Sequence, residues 1–139
     1  MNDEDDFERY RPDVKAVSFD KDHKYEVVKF SENTNNNDIS VNVSDIEKRL
    51  NEIYDPEIPV SILELGLVYD ININEKNEVS ILMTLTAPNC PAAEILPEEV
   101  VDETLKVDGV SAAGIEITWN PPWELAMMSE EAMLELGFL

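Results

Sequence analysis

Two strand-like stretches in the middle of the chain restrict its fold more than any other feature of the sequence. Residues 67–73 and residues 79–85 are rich in branched apolar side chains, and only residues 74–77 separate them. Residues 74–77 read Asn-Glu-Lys-Asn, which suits a tight connection. Since so short a connection joins antiparallel neighbours, the pattern predicts a β-hairpin.

A helical stretch and a third strand follow the hairpin. Residues 91–106 have a helical pattern that ends at Val107-Asp108-Gly109, and residues 113–119 are strand-like. Pro97 either kinks this helix or marks its start, and we place the start near Pro91. A strand, a helix and a strand in succession favour a right-handed crossover, which makes the second and third strands parallel.

Helices at both ends complete the predicted domain. Ser44-Asp45-Ile46-Glu47 is a capping box that opens a first helix. This helix ends before Asp55-Pro56, because a residue ahead of proline avoids the α region. Ser129 caps a final short helix, which ends at Gly137. The predicted order is α-β-β-α-β-α, a two-layer α+β domain with a small mixed sheet, an antiparallel hairpin and one crossover helix.

The first 43 residues differ in composition and residue pattern from the rest of the chain. Residues 14–19 and 25–30 are strand-like, a charged loop with His23 lies between them, and residues 33–38 form a polar low-complexity linker. A lone two-stranded ribbon is marginally stable in water unless it docks on something. We therefore predict an acidic N-terminal appendage over residues 1–43, partly disordered or docked as a hairpin, and a folded domain over residues 44–139. His23 is expected to be solvated.

The charge balance excludes several classes of partner. The chain has 10 Lys and Arg residues against 31 Asp and Glu residues, a formal net charge of −21. Nucleic acids and anionic membranes both bind through cationic side chains, so we expect neither as a partner. No apolar run approaches the roughly 18 residues of a membrane span. The acidic start of the chain is unlike a secretion signal, so a cytoplasmic protein is expected.

Cys90 is the only cysteine of the chain. A single cysteine excludes an internal disulfide and any metal site built from several thiolates of one chain. Cys90 stands between Asn89 and Pro91, where a strand gives way to a helix. If Pro91 is the first helical residue, Cys90 is the N-cap, where free amides and the helix dipole favour the thiolate. The alternative is a small buried apolar residue, and position alone leaves both open.

Two further pairs of polar residues suit a site around a thiolate. Asp55 and Glu57 follow the first helix, and paired carboxylates bind hard cations or move protons, although such a pair is more often a solvated turn. Thr84 and Thr86 are two residues apart, so their side chains share a face that leads towards Cys90. They can donate hydrogen bonds to a sulfur or oxygen ligand, but threonine is also simply a good strand residue.

Apolar residues surround a diproline segment near the C-terminus. Aromatic and Met-rich surfaces suit protein contacts, and the competing explanation is that these side chains close the core around the last helix. We expect Trp119 in the core. For Trp123, Met127 and Met128, the sequence leaves open whether they form a partner-binding surface or belong to the core.

Several motifs together resemble the iron–sulfur cluster assembly-associated (FSCA) domain family. The resemblance covers residues 44–139, and its C-terminal part is similar to SufT-type bacterial members. The motifs are Asp55-Pro56-Glu57-Ile58-Pro59-Val60, Leu65-Gly66-Leu67-Val68-Tyr69, Met83-Thr84-Leu85-Thr86-Ala87-Pro88-Asn89-Cys90-Pro91 and Trp119-Asn120-Pro121-Pro122-Trp123.

This resemblance implies an auxiliary factor, not an enzyme, that helps iron–sulfur clusters reach their target proteins. Assembly proteins and apo client proteins are the partners that it implies. PaaD-like relatives, which are linked to a multicomponent oxygenase, carry a cysteine-rich C-terminal extension that is absent after Leu139, which argues against that role. By motif position, the cluster or metal contacts are Cys90, Asp55 and Glu57, and the residues that line the site are Thr84, Thr86 and Asn89.

The number of ligands restricts the mechanism. One thiolate cannot hold a cluster, whose irons typically need about four protein ligands. We expect no permanently bound cofactor and a transient contact with iron or a cluster, by Cys90 alone or across a homodimer, with carboxylates or a small thiol completing the shell. The alternatives are a non-catalytic docking adaptor with a structural cysteine and a thiol-based redox enzyme. The absence of a resolving cysteine disfavours the enzyme.

Overall fold

A computed structural model describes residues 25–32, 39–55, 58–86 and 92–139 of the chain. None of the helices in these ranges is long and apolar enough to cross a membrane. The α+β class and the element order predicted from residue 44 onward are confirmed. The elements are β1 (Val27–Phe30), α1 (Val43–Leu50), β2 (Val68–Ile73), β3 (Glu78–Met83), α2 (Ala92–Leu105), β4 (Ala112–Ile117), a 3₁₀ turn (Leu125–Met127) and α3 (Glu130–Glu135).

The strands found in the described residues form one mixed sheet in the order β1-β4-β3-β2. β2 and β3 pair antiparallel, with Ile73 opposite Val79 at the turn. β3 and β4 are parallel, and Ile81 lies opposite Ile115. Asn77, in the connection between β2 and β3, has a φ of 62°, a conformation that asparagine adopts more readily than most residues. The hairpin and the parallel pair that the sequence predicted are both confirmed.

Strand β1 comes from the region that precedes the predicted domain. It pairs antiparallel with β4, with Val27 opposite Ile115. The Lys29 ammonium on β1 also lies 2.7 Å from the Glu98 carboxylate and 3.0 Å from the Asp102 carboxylate on α2. The strand-like residues 14–19 and His23 lie outside the described residues. The division of the chain at residue 43 stays a prediction.

One hydrophobic core lies between the sheet and the helices, and the C-terminal residues Met128 and Ala132 contribute to it. α2 continues through Pro97, so this proline does not mark the start of the helix. The largest fully buried side chains are those of Ile46, Leu50, Ile53, Ile62, Leu65, Leu67, Ile81, Met83, Leu85, Leu96 and Ile115.

Two local expectations from the sequence are wrong. The N-cap of α1 is Asn42, not Ser44: the Asn42 side chain accepts a hydrogen bond from the Asp45 amide at 3.0 Å. Asparagine caps a helix as well as serine does, and Asn42 offers its acceptor two residues earlier. Trp119 is 43% exposed instead of lying in the core, because β4 ends at Ile117 and the chain leaves the sheet before the indole.

Candidate functional site

The residues on either side of the predicted cysteine define the geometry of the candidate site. Cys90, Asn89 and Glu57 lie outside the described residues. In the sequence, Cys90 belongs to residues 87–91, which we call the cysteine segment and which join Thr86 to α2. Among the predicted site residues, the structure describes Asp55, Thr84, Thr86 and the three residues of the predicted partner surface.

Thr84 extends β3 beyond its last residue. Its amide donates to the Leu67 carbonyl at 2.8 Å, which holds the backbone beside the start of β2. Its side chain is fully buried, and its hydroxyl oxygen lies 3.5 Å from the Leu85 carbonyl oxygen. Thr86, the last described residue before the cysteine segment, is half-buried. The two threonines that the sequence treated as equivalent therefore differ in access to solvent.

Tyr69 is a residue of this site to which the sequence analysis assigned no role. The pairing of β2 with β3 shifts between Val68 and Asp70, which leaves Tyr69 at a β-bulge. The Tyr69 hydroxyl donates to the Pro121 carbonyl at 2.9 Å and lies 3.4 Å from the Met127 sulfur. The bulge thus directs the tyrosine side chain towards the C-terminal part of the chain.

The same hydroxyl interacts with Thr84. Burial raises the pKa of Tyr69, a side-chain hydrogen bond with Thr84 acts in the opposite direction, and the charge of Glu124 raises the pKa further. The net result is a pKa above the ordinary value of 10.0, so the phenol keeps its proton and acts as a donor. The only sequence signal for Tyr69 was its place in one of the family motifs.

Residues 119–129, which we call the C-terminal strap, lie along the segment between α1 and β2. The Trp123 indole Nε1 donates to the Leu65 carbonyl at 2.7 Å. The Ser129 amide donates to the Glu64 carbonyl at 2.8 Å, and the Ser129 hydroxyl donates to the Glu64 carboxylate. The strap is therefore fixed to the backbone just ahead of β2 at more than one point.

Gly66 allows the strap to approach this backbone closely. Its φ of +80° lies in the left-handed region, which favours glycine. A Cβ at this position would overlap the carbonyl oxygen of Met127. Any side chain at Gly66 would therefore push the strap outward.

The predicted partner-binding residues all belong to the strap. Trp123 is half-buried and packs against the core, and Met127 is half-buried beside Tyr69. Met128 is only 5% exposed and belongs to the core, so for this residue the structure favours the core explanation. A partner-binding role for the three residues stays a prediction.

Asp55 follows the first helix in a loop that the backbone closes tightly. An isolated bridge pairs Tyr54 with Ser61, and the Asp55 carbonyl accepts from the Ile58 amide at 3.2 Å. Asp55 is only 3% exposed. Aspartate is rarely buried to this extent, because removing a carboxylate from water is costly. The burial argues against the solvated turn that the sequence had left as the commoner alternative, while the role of Asp55 in cluster contact stays a prediction.

The described residues do not form a metal centre. Within these ranges, no group of three or more His, Cys, Asp and Glu side chains could hold a metal ion. A concavity of about 350 Å³ borders the loop of Asp55, between Tyr54, Glu64 and Glu131. A groove of about 1060 Å³ lies between β1 and α2, and its lining contains none of the predicted site residues.

The fold and the site define a small α+β domain with one cysteine ahead of its crossover helix in the sequence and a strap fixed to the backbone ahead of β2. Residues 44–117 match the family described as iron-sulfur cluster assembly protein. The chain belongs to this family. The FSCA-type resemblance predicted from the motifs is thereby confirmed, and with it a role in iron–sulfur cluster assembly and maturation.

Individual relatives support the same assignment. A Porphyromonas gingivalis protein named Fe-S protein maturation auxiliary factor is 48% identical over 104 residues, 75% of this chain and 99% of the relative. The Staphylococcus aureus Fe-S protein maturation auxiliary factor SufT is 33% identical over 85 residues, 61% of this chain and 97% of the relative. The crystal structure of a DUF59 domain from Bacillus anthracis matches with a TM-score of 0.65 at 35% identity, over 69% of this chain and 92% of that one.

Proposed function

We propose that the protein is a non-enzymatic auxiliary factor that assists the delivery of iron–sulfur clusters to apo client proteins through the thiolate of Cys90. The observation that carries the proposal is the family match, combined with the single thiol of the chain two residues ahead of α2. The relatives whose names describe maturation auxiliary factors support a helper role without catalysis. The expected place of action is the cytoplasm, among assembly proteins and clients.

The ligand count makes the contact with the cluster transient. Fe–S clusters in proteins are typically held by about four cysteine thiolates, and this chain supplies one. The remaining ligands must come from a donor or client protein, from a small thiol, or from a second copy of the chain. The cluster is therefore cargo that passes over Cys90, not a resident cofactor.

Helix α2 supplies a reason for Cys90 to react as a thiolate. α2 spans 14 residues, so its N-terminal turn carries the positive end of a full helix dipole. A cysteine near such an end has a lowered pKa, and the thiolate is the form that binds iron. This is the physical support for Cys90 as the contact residue.

Asp55, with Glu57, is proposed as the oxygen donor of the same site. Carboxylates are acceptable iron ligands when thiolates are too few. Asp55 is buried in the loop that follows α1, which supports a held orientation for its carboxylate. Asn89 directly precedes Cys90 in the sequence, Thr86 precedes the cysteine segment, and both are proposed to line the site.

The test is the activity of a cluster-dependent dehydratase in cells that lack the protein. We expect the wild type to restore activity and Cys90→Ser to fail, at equal abundance and with an unchanged thermal midpoint. Asp55→Asn should restore only part of the activity. Asp108→Asn is the matched control, because Asp108 is an exposed aspartate in the turn after α2 and should restore activity fully.

A second measurement checks direct contact with the cargo. After anaerobic reconstitution with iron and sulfide, the wild type should gain visible absorbance that Cys90→Ser does not gain. Full rescue of the dehydratase by Cys90→Ser would refute the role of Cys90 and leave a docking adaptor with a structural cysteine. If Cys90→Ser fails to rescue the dehydratase but the reconstituted wild type gains no visible absorbance, Cys90 performs thiol chemistry other than contact with the cluster.

A further inference from the structure

The C-terminal strap has an inner and an outer face. On the inner face, the Trp123 indole donates to the Leu65 carbonyl at 2.7 Å, and Met128 is buried in the core. The side chains that the strap turns to the solvent are nevertheless mostly apolar. Trp119 is 43% exposed and Leu125 is 51% exposed. The apolar residues of the outer face are Trp119, Pro121, Pro122, Leu125 and Ala126.

We infer that this outer face binds a partner polypeptide segment that carries apolar side chains together with lysine or arginine. The inference deepens the proposed function. That a partner exists rests on the proposed function, whereas the place of contact and the chemistry of the segment rest on described residues alone.

The apolar residues of the outer face are concentrated in one short stretch. Single exposed apolar side chains are normal on a protein surface and need no explanation. Within residues 119–126, however, the only polar side chains other than an indole are those of Asn120 and Glu124. Exposed apolar patches with polar residues at their margin mark contacts with other proteins, and tryptophan is enriched in such contacts.

The outer face is held in place by the bonds of the strap to the domain. The Tyr69 hydroxyl donates to the Pro121 carbonyl at 2.9 Å, and the Ser129 amide donates to the Glu64 carbonyl at 2.8 Å. The rings of Pro121 and Pro122 fix their own φ angles. A surface that is ordered in advance loses little conformational entropy on binding, so its apolar contacts yield more affinity.

The charges near the outer face determine which segment it suits. Glu124 is exposed within the strap itself. At the end of the strap, the Ser129 hydroxyl donates to the carboxylate of Glu64, which borders the concavity of about 350 Å³ together with Glu131 and Glu135. Residues 107–139 contain no lysine or arginine. A segment with apolar and cationic side chains is therefore the complementary partner.

The same charge argues against a second copy of the chain on this face. Each copy has a formal net charge of −21, so two copies repel each other. A self-contact would also bring the carboxylates beside the strap towards those of the other copy. A different protein with cationic residues has neither disadvantage.

The test measures binding of a labelled synthetic peptide of alternating leucine and lysine to the full chain by fluorescence anisotropy. Leu125→Ser and Trp119→Ser should each weaken binding about tenfold, because each removes a large apolar contact. Ile95→Ser is the matched control: Ile95 on α2 is 54% exposed and lies outside the strap, so this variant should bind like the wild type. A peptide of alternating serine and lysine should bind about tenfold more weakly.

Charge variants test the cationic part of the segment. Glu124→Gln and Glu99→Gln each remove one exposed carboxylate, and only Glu124 lies in the strap. Glu124→Gln should weaken binding of the leucine–lysine peptide about threefold, and Glu99→Gln should leave it unchanged. Ala126→Lys should weaken binding about threefold relative to Ala126→Gln, because it adds a cation to the outer face. This last pair carries the test if Trp119→Ser or Leu125→Ser does not fold.

Several results would overturn the inference. Equal affinities of Leu125→Ser and Ile95→Ser would place the contact elsewhere, and equal affinities for the two peptides would show that charge alone binds. Light scattering that shows a dimer in the wild type and a monomer in Leu125→Ser would assign the outer face to a second copy.

The dehydratase rescue connects the outer face to cluster delivery. Leu125→Ser should restore less activity than Ile95→Ser at equal abundance, and equal restoration would overturn the inference. Cys90→Ser should bind the leucine–lysine peptide like the wild type. Failure of the proposed function, read from full rescue by Cys90→Ser, is therefore a separate result from failure of the outer face to bind.

Discussion

The indole of Trp123 donates a hydrogen bond to the backbone carbonyl of Leu65 at 2.7 Å, across 58 residues of sequence. The Leu65 side chain is fully buried, so this bond ties the strap to a residue that is itself fixed in the core. The tryptophan therefore fixes the strap to the backbone ahead of β2.

Trp123→Phe should lower the free energy of unfolding by about 1–3 kcal/mol, because the Leu65 carbonyl loses its donor in a partly buried setting. Urea denaturation monitored by far-ultraviolet circular dichroism measures the change. Trp119→Phe is the control: at 43% exposure it should stay within about 0.5 kcal/mol of the wild type. Equal losses in the two variants would contradict the assigned role of Trp123.

Gly66→Ala should destabilise the protein more than Gly137→Ala does. Both glycines have positive φ, +80° and +86°, so both alanine variants incur the left-handed backbone cost of about 1–2 kcal/mol. Only at Gly66 would the added Cβ overlap the strap, whereas nothing lies within 4 Å at Gly137. We expect about 1–3 kcal/mol of additional loss at Gly66 in thermal unfolding. Similar thermal unfolding midpoints for Gly66→Ala and Gly137→Ala would show that the strap moves away from an added Cβ at no cost in stability.

Asn42→Ala should cost about 1 kcal/mol of stability, because it removes the side-chain acceptor for the Asp45 amide at the start of α1. Ser44→Ala should change stability by less than about 0.5 kcal/mol, since Ser44 lies within the helix and caps nothing. Chemical denaturation of the two variants side by side measures both. A larger loss of stability in Ser44→Ala than in Asn42→Ala would show that Ser44 is the N-cap of α1.

Lys29 should make stability depend on alkaline pH. Hydrogen bonds with Glu98 and then Asp102 raise the pKa of Lys29 above its ordinary value of 10.5. A group with a raised pKa in the folded state stabilises the protein below the unfolded pKa and loses this contribution as pH rises through the folded pKa. Stability should therefore fall between about pH 8 and about pH 11 by more in the wild type than in Lys29→Gln.

The expected size of this difference is small, about 0.2–1 kcal/mol, because the Lys29 ion pairs are solvent-exposed. Urea midpoints at the two pH values measure it. Lys106→Gln removes a different exposed pair, with Glu103, and should follow the wild-type pH dependence. Tyr69 has a raised pKa and destabilises the fold in the same pH range in all three proteins, so only the difference between them is diagnostic.

The sequence predicted those parts of the fold whose determinants are local. The hairpin follows from the strand pattern around the turn at Asn77, and the parallel pair follows from the order of strand, helix and strand. The Ser129 cap of α3 was also predicted correctly, and its side chain accepts from the Ala132 amide. The cap of α1 was wrong because two residues with good capping side chains, Asn42 and Ser44, stand close together, and local propensity does not choose between them.

The parts that were missed depend on contacts between distant segments. The bulge at Tyr69 exists only in the pairing of β2 with β3, so no local pattern marks it. The inward contacts of Trp123 and Met128 depend on where the strap packs. For Asp55, burial by the surrounding loop was invisible in a sequence that reads as a polar turn. Cys90 was identified by its rarity and its motif.

The strap also has a consequence for the order in which the chain folds. The hairpin between β2 and β3 closes through a short connection, a process of microseconds, whereas Leu65 and Trp123 meet only after a much longer loop has closed. We therefore expect the strap to dock last and to detach first, together with Met128 at the edge of the core. Local detachment of the strap would then expose the backbone ahead of β2 while the sheet stays intact.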